Sequence, residues 1–478
     1  MPLRNCCSPD NMKRLFPFLK PTSLLIGILA ITLQSCAPKA DFASSSGRRN
    51  VIFIHPDGTS PSFFKAARIL HYGPDGTLHW DKMPYTAVYK GHMKNNLTAS
   101  SNAGAVTHAY GVKVHENSFG LDEDNAPVVA RSGKPITILE EARLAGFAAG
   151  IINSGSITEP GTGVFAARAV NRDDHAGIAK SMIIRDEGQE LAVIFGGGEV
   201  WFLPDNVTGI HGKPGRRKDG LNLVEEAKKR GYTVIYTLDQ LQNLPENTSR
   251  VLGLFAAFDT YIDNRDESEV RHTYTEEQLA LEGLTDYIPG TPTIAQMVEV
   301  AIKVLSRSST KGFYLVAEEE GTDNFSNNAL NARGAIEATK RADDAIGVAL
   351  AFAKTHPNTL VITASDSEAS GLSVIGNPRV DNVGNVIPTR EFRRLDGSVY
   401  FTEYLDGKNG TATPPFLSAP DRNNMRWPFA VAWSTGGDHS GNVVARAFGY
   451  QAHLLFGTID NTEIYRIKYK ALFGVMLD

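Results

Sequence analysis

The feature that most constrains the fold is an alternation, from residue 50 onward, of short apolar runs with helical patterns. Strands that are apolar throughout and separated by helices are typical of a parallel sheet covered on both faces. The apolar runs lie at 50–54, 148–152, 191–195, 313–316 and 359–364, and helical patterns lie at 136–144, 293–306 and 329–355. The sequence therefore predicts an α/β fold with a central, mostly parallel sheet and helices on both faces.

Residues 1–35 are predicted to be a lipoprotein-type signal peptide. Basic residues precede the apolar run Thr22–Leu33, which is shorter than the ~20 residues needed to span a bilayer. The run ends in Leu33-Gln34-Ser35-Cys36, which is similar to a bacterial lipobox and would leave Cys36 to carry a lipid. An ordinary secretory signal with a chance cysteine is the alternative. Residues 36–49 are rich in small and polar residues, which predicts a flexible tether.

The cysteine content and the net charge indicate where the protein is located and which kinds of partner it can bind. Cys6, Cys7 and Cys36 are the cysteines of the chain, so the processed protein would have no intrachain disulfide. Ala37 after the lipobox cysteine favours sorting to the outer membrane, and we expect an exported, periplasmic or outer-membrane lipoprotein of a Gram-negative bacterium. The formal charge of −5, with no stripe of Lys and Arg, argues against a nucleic-acid partner.

Polar clusters follow three of the predicted strands directly. They are Asp57, the segment Glu318–Asp323 and the segment Ser365–Glu368. In parallel sheets, binding sites form in the loops at the carboxyl ends of the strands. We therefore expect a cation site at this edge of the sheet, although Asp57-Gly58 on its own is also a common turn.

The segment Thr98–Lys113 places small residues directly before a helical pattern. A serine at a helix N-terminus lies where backbone N–H groups and the helix dipole favour a phosphate. A simple capping serine is the alternative interpretation.

This segment resembles the alkaline phosphatase signature, in which the serine of Asp-Ser-Ala-Ala lies ten residues before the glycine of Thr-Gly-Val-Lys. Counting back from Gly111 gives Ser101 as the nucleophile, whereas counting forward from Thr98 gives Ser100, and the helix register favours Ser101. The neighbouring Asn102 is expected to bind substrate. The resemblance covers most of residues 50–478 and implies an alkaline-phosphatase-like catalytic domain.

The same resemblance assigns the remaining site residues. Arg172 takes the place of the arginine that grips the phosphate, a task suited to a planar guanidinium. Glu318 to Asp323 matches the Glu-Gly-Gly-Arg-Ile-Asp pattern, and Gly436 to Gly441 contains the last family histidine. The implied metal ligands are Asp57, Glu159, Glu318, Asp323, Asn327, Asp366 and His439.

Two family histidines are replaced, by Asn327 and Ser367. The resemblance implies Zn²⁺ and Mg²⁺, but an oxygen-rich ligand set suits Mg²⁺, Mn²⁺ or Ca²⁺ better than Zn²⁺. We therefore expect divalent metals with a weaker zinc preference than is usual in the family. The histidines at 55, 92, 108 and 115 are predicted to be structural or surface residues.

Two segments, 201–250 and 373–428, are expected to be insertions, the second of them polar and irregular. The predicted activity is metal-dependent hydrolysis of small phosphate monoesters through a phosphoserine. A phosphodiesterase of the same superfamily and a catalytically impaired lipoprotein of this fold are the alternatives. A cysteine-type sulfatase is excluded because no cysteine follows residue 36, and a homodimer is left open.

Overall fold

The computed structural model describes residues 47–262, 286–328 and 330–478. The predicted signal peptide and nearly all of the predicted tether lie outside these residues. Among the residues that the structure describes, no helix is both long and apolar enough to cross a membrane.

The strands are β1 Arg49–Pro56, β2 Tyr85–Lys90, β3 Ala148–Ser156, β4 Val193–Gly197, β5 Thr233–Ile235, β6 Val251–Leu254, β7 Gly312–Glu319, β8 Thr359–Thr363, β9 Glu368–Ala369, β10 Ser373–Gly376, β11 Thr389–Arg393, β12 Val399–Asp406, β13 Phe416–Leu417, β14 Pro428–Trp433, β15 Asp438–His439, β16 Val444–Gly449 and β17 Gly457–Asp460. The α-helices of four or more residues are α1 Pro61–Tyr72, α2 Ser101–Tyr110, α3 Ile138–Leu144, α4 Pro160–Ala166, α5 His175–Ile183, α6 Leu223–Lys229, α7 Leu238–Gln242, α8 Ile294–Ser308, α9 Ala332–Thr355 and α10 Glu463–Phe473.

The central sheet has ten strands in the order β17-β2-β16-β8-β1-β7-β3-β4-β6-β5. Strand β16 runs antiparallel to both of its neighbours, and the other neighbouring pairs in this sheet are parallel. The predicted apolar strands at residues 50–54, 148–152, 191–195, 313–316 and 359–364 all lie in this sheet. The prediction of a mostly parallel central sheet is confirmed.

The two faces of the sheet are covered by different helices, because successive side chains of a strand point to opposite faces. In β1, Val51 and Phe53 join a core that includes residues of α2, α3, α4 and α10. Ile52 and Ile54 join a second core with residues of α8 and α9. The predicted helices on both faces are therefore confirmed.

Local sequence explains where these helices begin and which face they bury. Thr137 and Glu140 form a capping box at the start of α3, and Thr293 and Gln296 form another at the start of α8. The buried positions of α8 follow the spacing of an amphipathic helix: Ile294, Met297, Val298, Ala301, Ile302, Val304 and Leu305.

The segment 373–428 contributes strands to an antiparallel sheet, so the expectation that it is irregular is wrong, and its assignment as an insertion stays a prediction. Strands β10, β14, β12 and β11 pair in this order, and β13 pairs with β14. The sequence signal is weak because β11 alternates exposed with half-buried residues and includes three charged side chains. The segment 201–250 contains α6 and α7 and contributes β5 to the edge of the central sheet.

Candidate metal centre and active site

The polar clusters predicted to follow the strands meet at one edge of the sheet. Strand β1 lies between β7 and β8 and is parallel to both, with His55 opposite Glu318 and Ile54 opposite Thr363. The residues that follow these strands therefore emerge side by side. They include Asp57 after β1, the acidic residues at the end of β7, and Asp366 after β8.

Buried carboxylates form the centre of this site. Ligand atoms of His55, Asp57 and Glu318 lie within 4.8 Å of one another, and so do those of Asp57, Glu320 and Asp323. Asp57 belongs to both groups and is fully buried. The arrangement offers two neighbouring cation positions that share one carboxylate.

Several oxygens of this cluster have no hydrogen-bond partner within the described parts of the chain. They are Oδ2 of Asp57, Oε1 of Glu318, Oε2 of Glu320 and Oδ2 of Asp366. An unpaired buried carboxylate oxygen costs free energy unless a proton or a cation compensates it. The donor set of carboxylates with one imidazole fits divalent cations, so the residues present suit the metals that the sequence implies.

The electrostatics agree with this interpretation. Burial raises the pKa of Glu318 to about 8, although His55 opposes the shift. Burial, together with the neighbouring carboxylates, also raises the pKa of Glu320, Asp323 and Asp366 well above the usual range. Burial and mutual repulsion disfavour the ionised form of these carboxylates. Bound cations would offset both effects.

His55, predicted to be a structural or surface residue, is buried inside the cluster. Its Nε2 lies 3.1 Å from Oδ1 of Asp57, and its Nδ1 lies 2.8 Å from the carbonyl oxygen of Ala364. Burial lowers the pKa of His55, but the hydrogen bond to Asp57 and the nearby carboxylates outweigh burial and raise it. The sequence did contain a signal, since residues two apart on a strand face the same side.

A second group of polar residues lies at the rim of the cluster. Asn327 donates from Nδ2 to Oδ1 of Asp323 at 2.7 Å and to Oδ1 of Asp438 at 3.0 Å. Its own Oδ1 accepts a hydrogen bond from the Ser370 hydroxyl at 2.9 Å. Ser367, at one of the replaced histidine positions, donates to Asp438 at 2.7 Å. Asn327 and Ser367 are thus hydrogen-bond donors to the carboxylates of Asp323 and Asp438.

Asp438 is a site residue that sequence reasoning missed. Its Oδ1 accepts hydrogen bonds from Ser367 and Asn327, which places Asp438 at the rim of the carboxylate cluster. Burial raises the pKa of Asp438, and the carboxylate of Asp57 adds to the shift. The available signal was its position directly before His439 in a glycine-rich motif.

His439 lies at the rim, where the two-residue strands β15 and β9 pair. Its Nδ1 lies 2.9 Å from the carbonyl oxygen of Glu368, so Nδ1 is the donor and Nε2 remains for another partner. His439 shares one small cavity with Asp366, Ser367, Thr98 and Ala99. The structure therefore brings His439 to the predicted site.

The residues that lead into helix α2, Thr98 and Ala99, line the same cavity. Ser100 is the capping residue: its hydroxyl accepts from the backbone N–H of Ala103 at 3.3 Å and donates to the carbonyl of Glu116. Ser101 is the first residue of the helix and is 7% exposed. A side chain on Gly104 would overlap Cβ of Asp366. Because Ser101 and Gly104 are three residues apart, they share the helix face that meets Asp366.

Asn102 makes contacts that differ from the expected role. Its Nδ2 donates to the carbonyl oxygens of Glu116 and Ser118, each at 3.1 Å. These hydrogen bonds hold the loop after α2 against the start of the helix. A substrate-binding role for the Asn102 amide has no support from these contacts.

Arg172 places a cation beside the carboxylates. Its guanidinium donates to Oε2 of Glu159 at 3.0 Å, and its side chain is 36% exposed. Burial lowers the pKa of Arg172, but Glu159, Glu320 and other cluster carboxylates outweigh burial and raise it. Arg172 thus faces the cluster from the solvent side.

Glu318 is fixed from two sides. Its Oε2 accepts from Nδ2 of Asn153 at 2.5 Å, and its carboxylate lies directly against Gly161 in the first turn of α4. Glu159 occupies the N-cap position of that helix, and its carboxylate accepts from Arg172 rather than from a backbone N–H of the helix. The predicted residues that the structure gathers around this centre are Asp57, Glu159, Arg172, Glu318, Asp323, Asn327, Asp366 and His439, with Ser101 on the helix that packs against Asp366.

The fold and the buried carboxylate cluster define an α/β protein with a site suited to divalent cations. The family model described as alkaline phosphatase matches residues 48–473. The alkaline phosphatase of Gadus morhua is 30% identical over 352 residues, which cover 67% of this chain and 69% of that protein. The alkaline phosphatase of Escherichia coli (strain K12) is 27% identical over 412 residues, which cover 79% of this chain and 81% of that protein.

A solved structure has the same fold. It is a mutant alkaline phosphatase of TAB5 with Mg bound, which has a TM-score of 0.61 and 22% identity and covers 89% of this chain and 98% of that chain. The chain therefore belongs to the alkaline phosphatase family and is a hydrolase of that family.

Proposed function

We propose that this protein hydrolyses phosphate monoesters through a phosphoserine formed on Ser101. The observation that carries the proposal is the packing of α2 against Asp366. It sets Ser101, at the start of that helix, beside a cluster of buried carboxylates with unpaired oxygens. Small phosphate esters are the substrates that the family membership supports.

Divalent cations fit the site, and Zn²⁺ and Mg²⁺ are the ions implied by resemblance, with Mn²⁺ or Ca²⁺ as substitutes. The residues that would hold them are Asp57, Glu159, Glu318, Glu320, Asp323, Asp366, Asp438 and His439. Bound cations would supply positive charge that lowers the pKa of a nearby hydroxyl and stabilises a departing oxygen. The mutant TAB5 phosphatase with Mg bound supports divalent metals in this fold.

The chain's own groups account for attack and phosphate binding. Oγ of Ser101 forms a bond to phosphorus while the ester oxygen leaves with the electron pair of the broken P–O bond and takes up a proton. Water then attacks the phosphoserine, which restores the Ser101 hydroxyl and releases phosphate. Arg172 and the first backbone N–H groups of α2 would neutralise the non-bridging oxygens during both steps.

Monoester specificity follows from the charge of the site. A monoester carries a dianionic group whose oxygens match an arginine, helix N–H groups and cations. A diester has one charge fewer and a second organic group, for which the nearly buried Ser101 and Asp366 leave little room.

Export and membrane attachment are part of the same proposal. The basic and apolar N-terminus with Cys36 supports a periplasmic or outer-membrane lipoprotein, and these residues lie outside the described part of the chain. Globomycin inhibition of lipoprotein processing should leave the precursor uncleaved, and an alanine at position 36 should release the protein from membranes. A Cys36→Ala protein that stays membrane-bound would refute lipid attachment at this residue.

Turnover of p-nitrophenyl phosphate compared with its bis-ester tests the proposed activity. We expect the monoester to be the better substrate, and acid quenching during turnover should trap phosphate on the peptide that contains Ser101. Preferential turnover of the bis-ester would assign the protein to the diesterases. Absence of both activities with every divalent metal tested would favour the catalytically impaired alternative.

A further inference from the structure

The orientation of the His55 ring is fixed by a backbone carbonyl. Nδ1 lies 2.8 Å from the carbonyl oxygen of Ala364, the residue that directly follows β8. A carbonyl oxygen can only accept, so Nδ1 carries the hydrogen. In the neutral imidazole this leaves Nε2 with a lone pair, and Nε2 is the atom that points into the carboxylate cluster.

Three carboxylates converge on Nε2. Oδ1 of Asp57 lies 3.1 Å away, Oε1 of Glu318 lies 3.8 Å away, and Oδ1 of Asp366 lies 4.0 Å away. Two ligand atoms that share an ion at about 2.0–2.2 Å are themselves separated by about 3.0–4.2 Å in tetrahedral or octahedral sites. The separations around Nε2 therefore match those of atoms that bind a common cation.

A proton on Nε2 would give a partner to fewer of the surrounding carboxylate oxygens than a metal ion would. One N–H reaches the nearest oxygen, on Asp57, and leaves Oε1 of Glu318 and Oδ2 of Asp366 without partners within residues 47–262, 286–328 and 330–478. A divalent cation can bind several of these oxygens together and balances more than one buried negative charge.

We propose that Nε2 of His55 is a metal ligand. With Asp57, Glu318 and Asp366 it forms a mixed nitrogen and carboxylate site that selects a first-row transition ion, such as Zn²⁺ or Mn²⁺, over Mg²⁺. The ligand type supports this choice, because imidazole suits transition ions whereas Mg²⁺ prefers oxygen. The inference rests on the proposed function only in placing divalent cations in this cavity.

This ligand changes the metal preference expected from the sequence. The replacements by Asn327 and Ser367 remove two imidazoles from the rim, and on that ground a weak zinc preference was predicted. His55 returns one imidazole at the base of the same cavity. The carbonyl of Ala364 serves as the outer partner that orients the ring, as is common for metal-bound histidines.

Pulsed electron paramagnetic resonance of the Mn²⁺-loaded protein tests the proposal. His439 is a second imidazole at the rim of the site, so the experiment uses His439→Gln, in which a directly bound imidazole nitrogen would have to come from another histidine. We expect this variant to retain the nitrogen hyperfine coupling of a coordinated imidazole. His55→Gln in the same background should then abolish the coupling. Mn²⁺ bound to His439→Gln without such coupling would overturn the proposal, even if His55 variants fail to fold.

Metal affinity provides a second readout. His55→Gln should weaken the tightest Zn²⁺ site on the order of 100-fold or more, at or above the loss typical of an outer-sphere partner. His108→Gln is the matched control, because His108 is equally buried and its ring centroid lies 5.7 Å from that of His55. Equal Zn²⁺ affinity in His55→Gln and the wild type would contradict the assignment.

These results are independent of the phosphatase proposal. An active wild type without imidazole coupling in His439→Gln would reject His55 as a ligand and keep the proposed function. An inactive wild type whose His439→Gln variant binds Mn²⁺ through an imidazole nitrogen would keep His55 as a ligand and reject the proposed function.

Discussion

Single residues determine which hydroxyl can act as the nucleophile. Ser100 uses its oxygen to cap α2 and donates its hydrogen to the carbonyl of Glu116. Ser101 lies one residue further, on the helix face that packs against Asp366. The proposed function therefore assigns the two neighbouring serines separable roles, Ser100 in stability and Ser101 in chemistry.

Replacing each serine by alanine tests this separation. Ser101→Ala should lower kcat by on the order of 10³- to 10⁶-fold, as expected for loss of a nucleophile, without changing the unfolding temperature. Ser100→Ala should keep most activity and lose about 1 kcal/mol of stability because the helix cap is removed. Kinetics and thermal unfolding of both variants are the measurements, and full activity in Ser101→Ala would move the nucleophile elsewhere.

Arg172 is expected to act on the phosphate rather than on the fold. Arg172→Ala should reduce kcat/KM by on the order of 100- to 1,000-fold, the typical effect of losing one donor to a developing charge. Arg172→Lys should give an intermediate value, since it keeps the charge and loses the paired hydrogen bonds. Steady-state kinetics with p-nitrophenyl phosphate measure both, and wild-type kcat/KM in the alanine variant would exclude this role.

The positions of the acidic residues directly after strands indicated a cation site, whereas His439 and Arg172 were assigned only through the resemblance to the family. His55 could not be assigned with the same rules, since a lone histidine on an apolar strand is usually structural. Asp438 and Glu320 lie beside predicted residues in the sequence, but the fold was needed to show that both lie close to Asp57 and Asp323. The contacts of Asn102 depend on the loop after α2, which the sequence does not position.

Among the elements, the end of β7 carries the largest concentration of buried acid. Glu318 faces the cluster, and Glu319 accepts from the Ser154 hydroxyl at 3.0 Å with Arg341 at 3.9 Å. Burial raises the pKa of Glu319 to about 7 and that of Glu318 to about 8, both from a model-compound value of 4.5. Without cations, the ionised forms of Glu318 and Glu319 therefore destabilise this strand end, and the effect grows as the pH rises.

The metal-free protein should become less stable as the pH rises from 5 to 8. A carboxyl group whose pKa is higher in the folded state binds more protons there, so folding is favoured at low pH and loses stability as the pH passes about 7 to 8. Thermal unfolding of EDTA-treated protein measures this trend, and Glu319→Gln should weaken it. Metal-free protein that is more stable at pH 8 than at pH 5 would contradict the pKa shifts.

Asp343 connects α9 to the turn at Trp80–Lys82. Its carboxylate accepts from the backbone N–H groups of Trp80 at 2.8 Å and His79 at 3.1 Å. Asp343→Ala should cost about 1–3 kcal/mol because a buried and a partly buried N–H group lose their partner. Asp344→Ala, which removes an exposed pair with Lys340, should cost at most about 1 kcal/mol. Chemical denaturation compares the two, and equal losses would contradict the anchoring role.

Helices and strands with a strong apolar pattern could be predicted from the sequence. Strands that are stabilised mainly by contacts with distant parts of the chain could not. The amphipathic pattern of α8 and the continuous apolar run of β1 appear directly in the sequence. Strands β10 and β11 of the small antiparallel sheet do not, because their residues are exposed or half-buried, although the apolar strand β14 is buried and packs with residues of α1 and α9. Their stability comes from packing across the fold, which a local pattern does not contain.

At the scale of the whole molecule, the site depends on the order of the strands. Placing β1 between β7 and β8 brings three loops from distant parts of the chain to one edge of the sheet, and α2 supplies the serine from one face. The two apolar cores make this arrangement stable enough to hold several buried carboxylates together. Cations should therefore stabilise the protein as well as activate it, since a ligand that binds only the folded state raises its stability.

We propose that the carboxylate cluster holds divalent cations that permit phosphate transfer to Ser101. The most direct measurement is hydrolysis of p-nitrophenyl phosphate after EDTA stripping and readdition of single metals, with thermal unfolding recorded on the same samples. We predict that stripping removes activity, that Zn²⁺ or Mn²⁺ restores it in the wild type and not in Ser101→Ala, and that the same ions raise the unfolding temperature of both. Activity that survives complete metal removal, or that returns equally in Ser101→Ala, would contradict the claim.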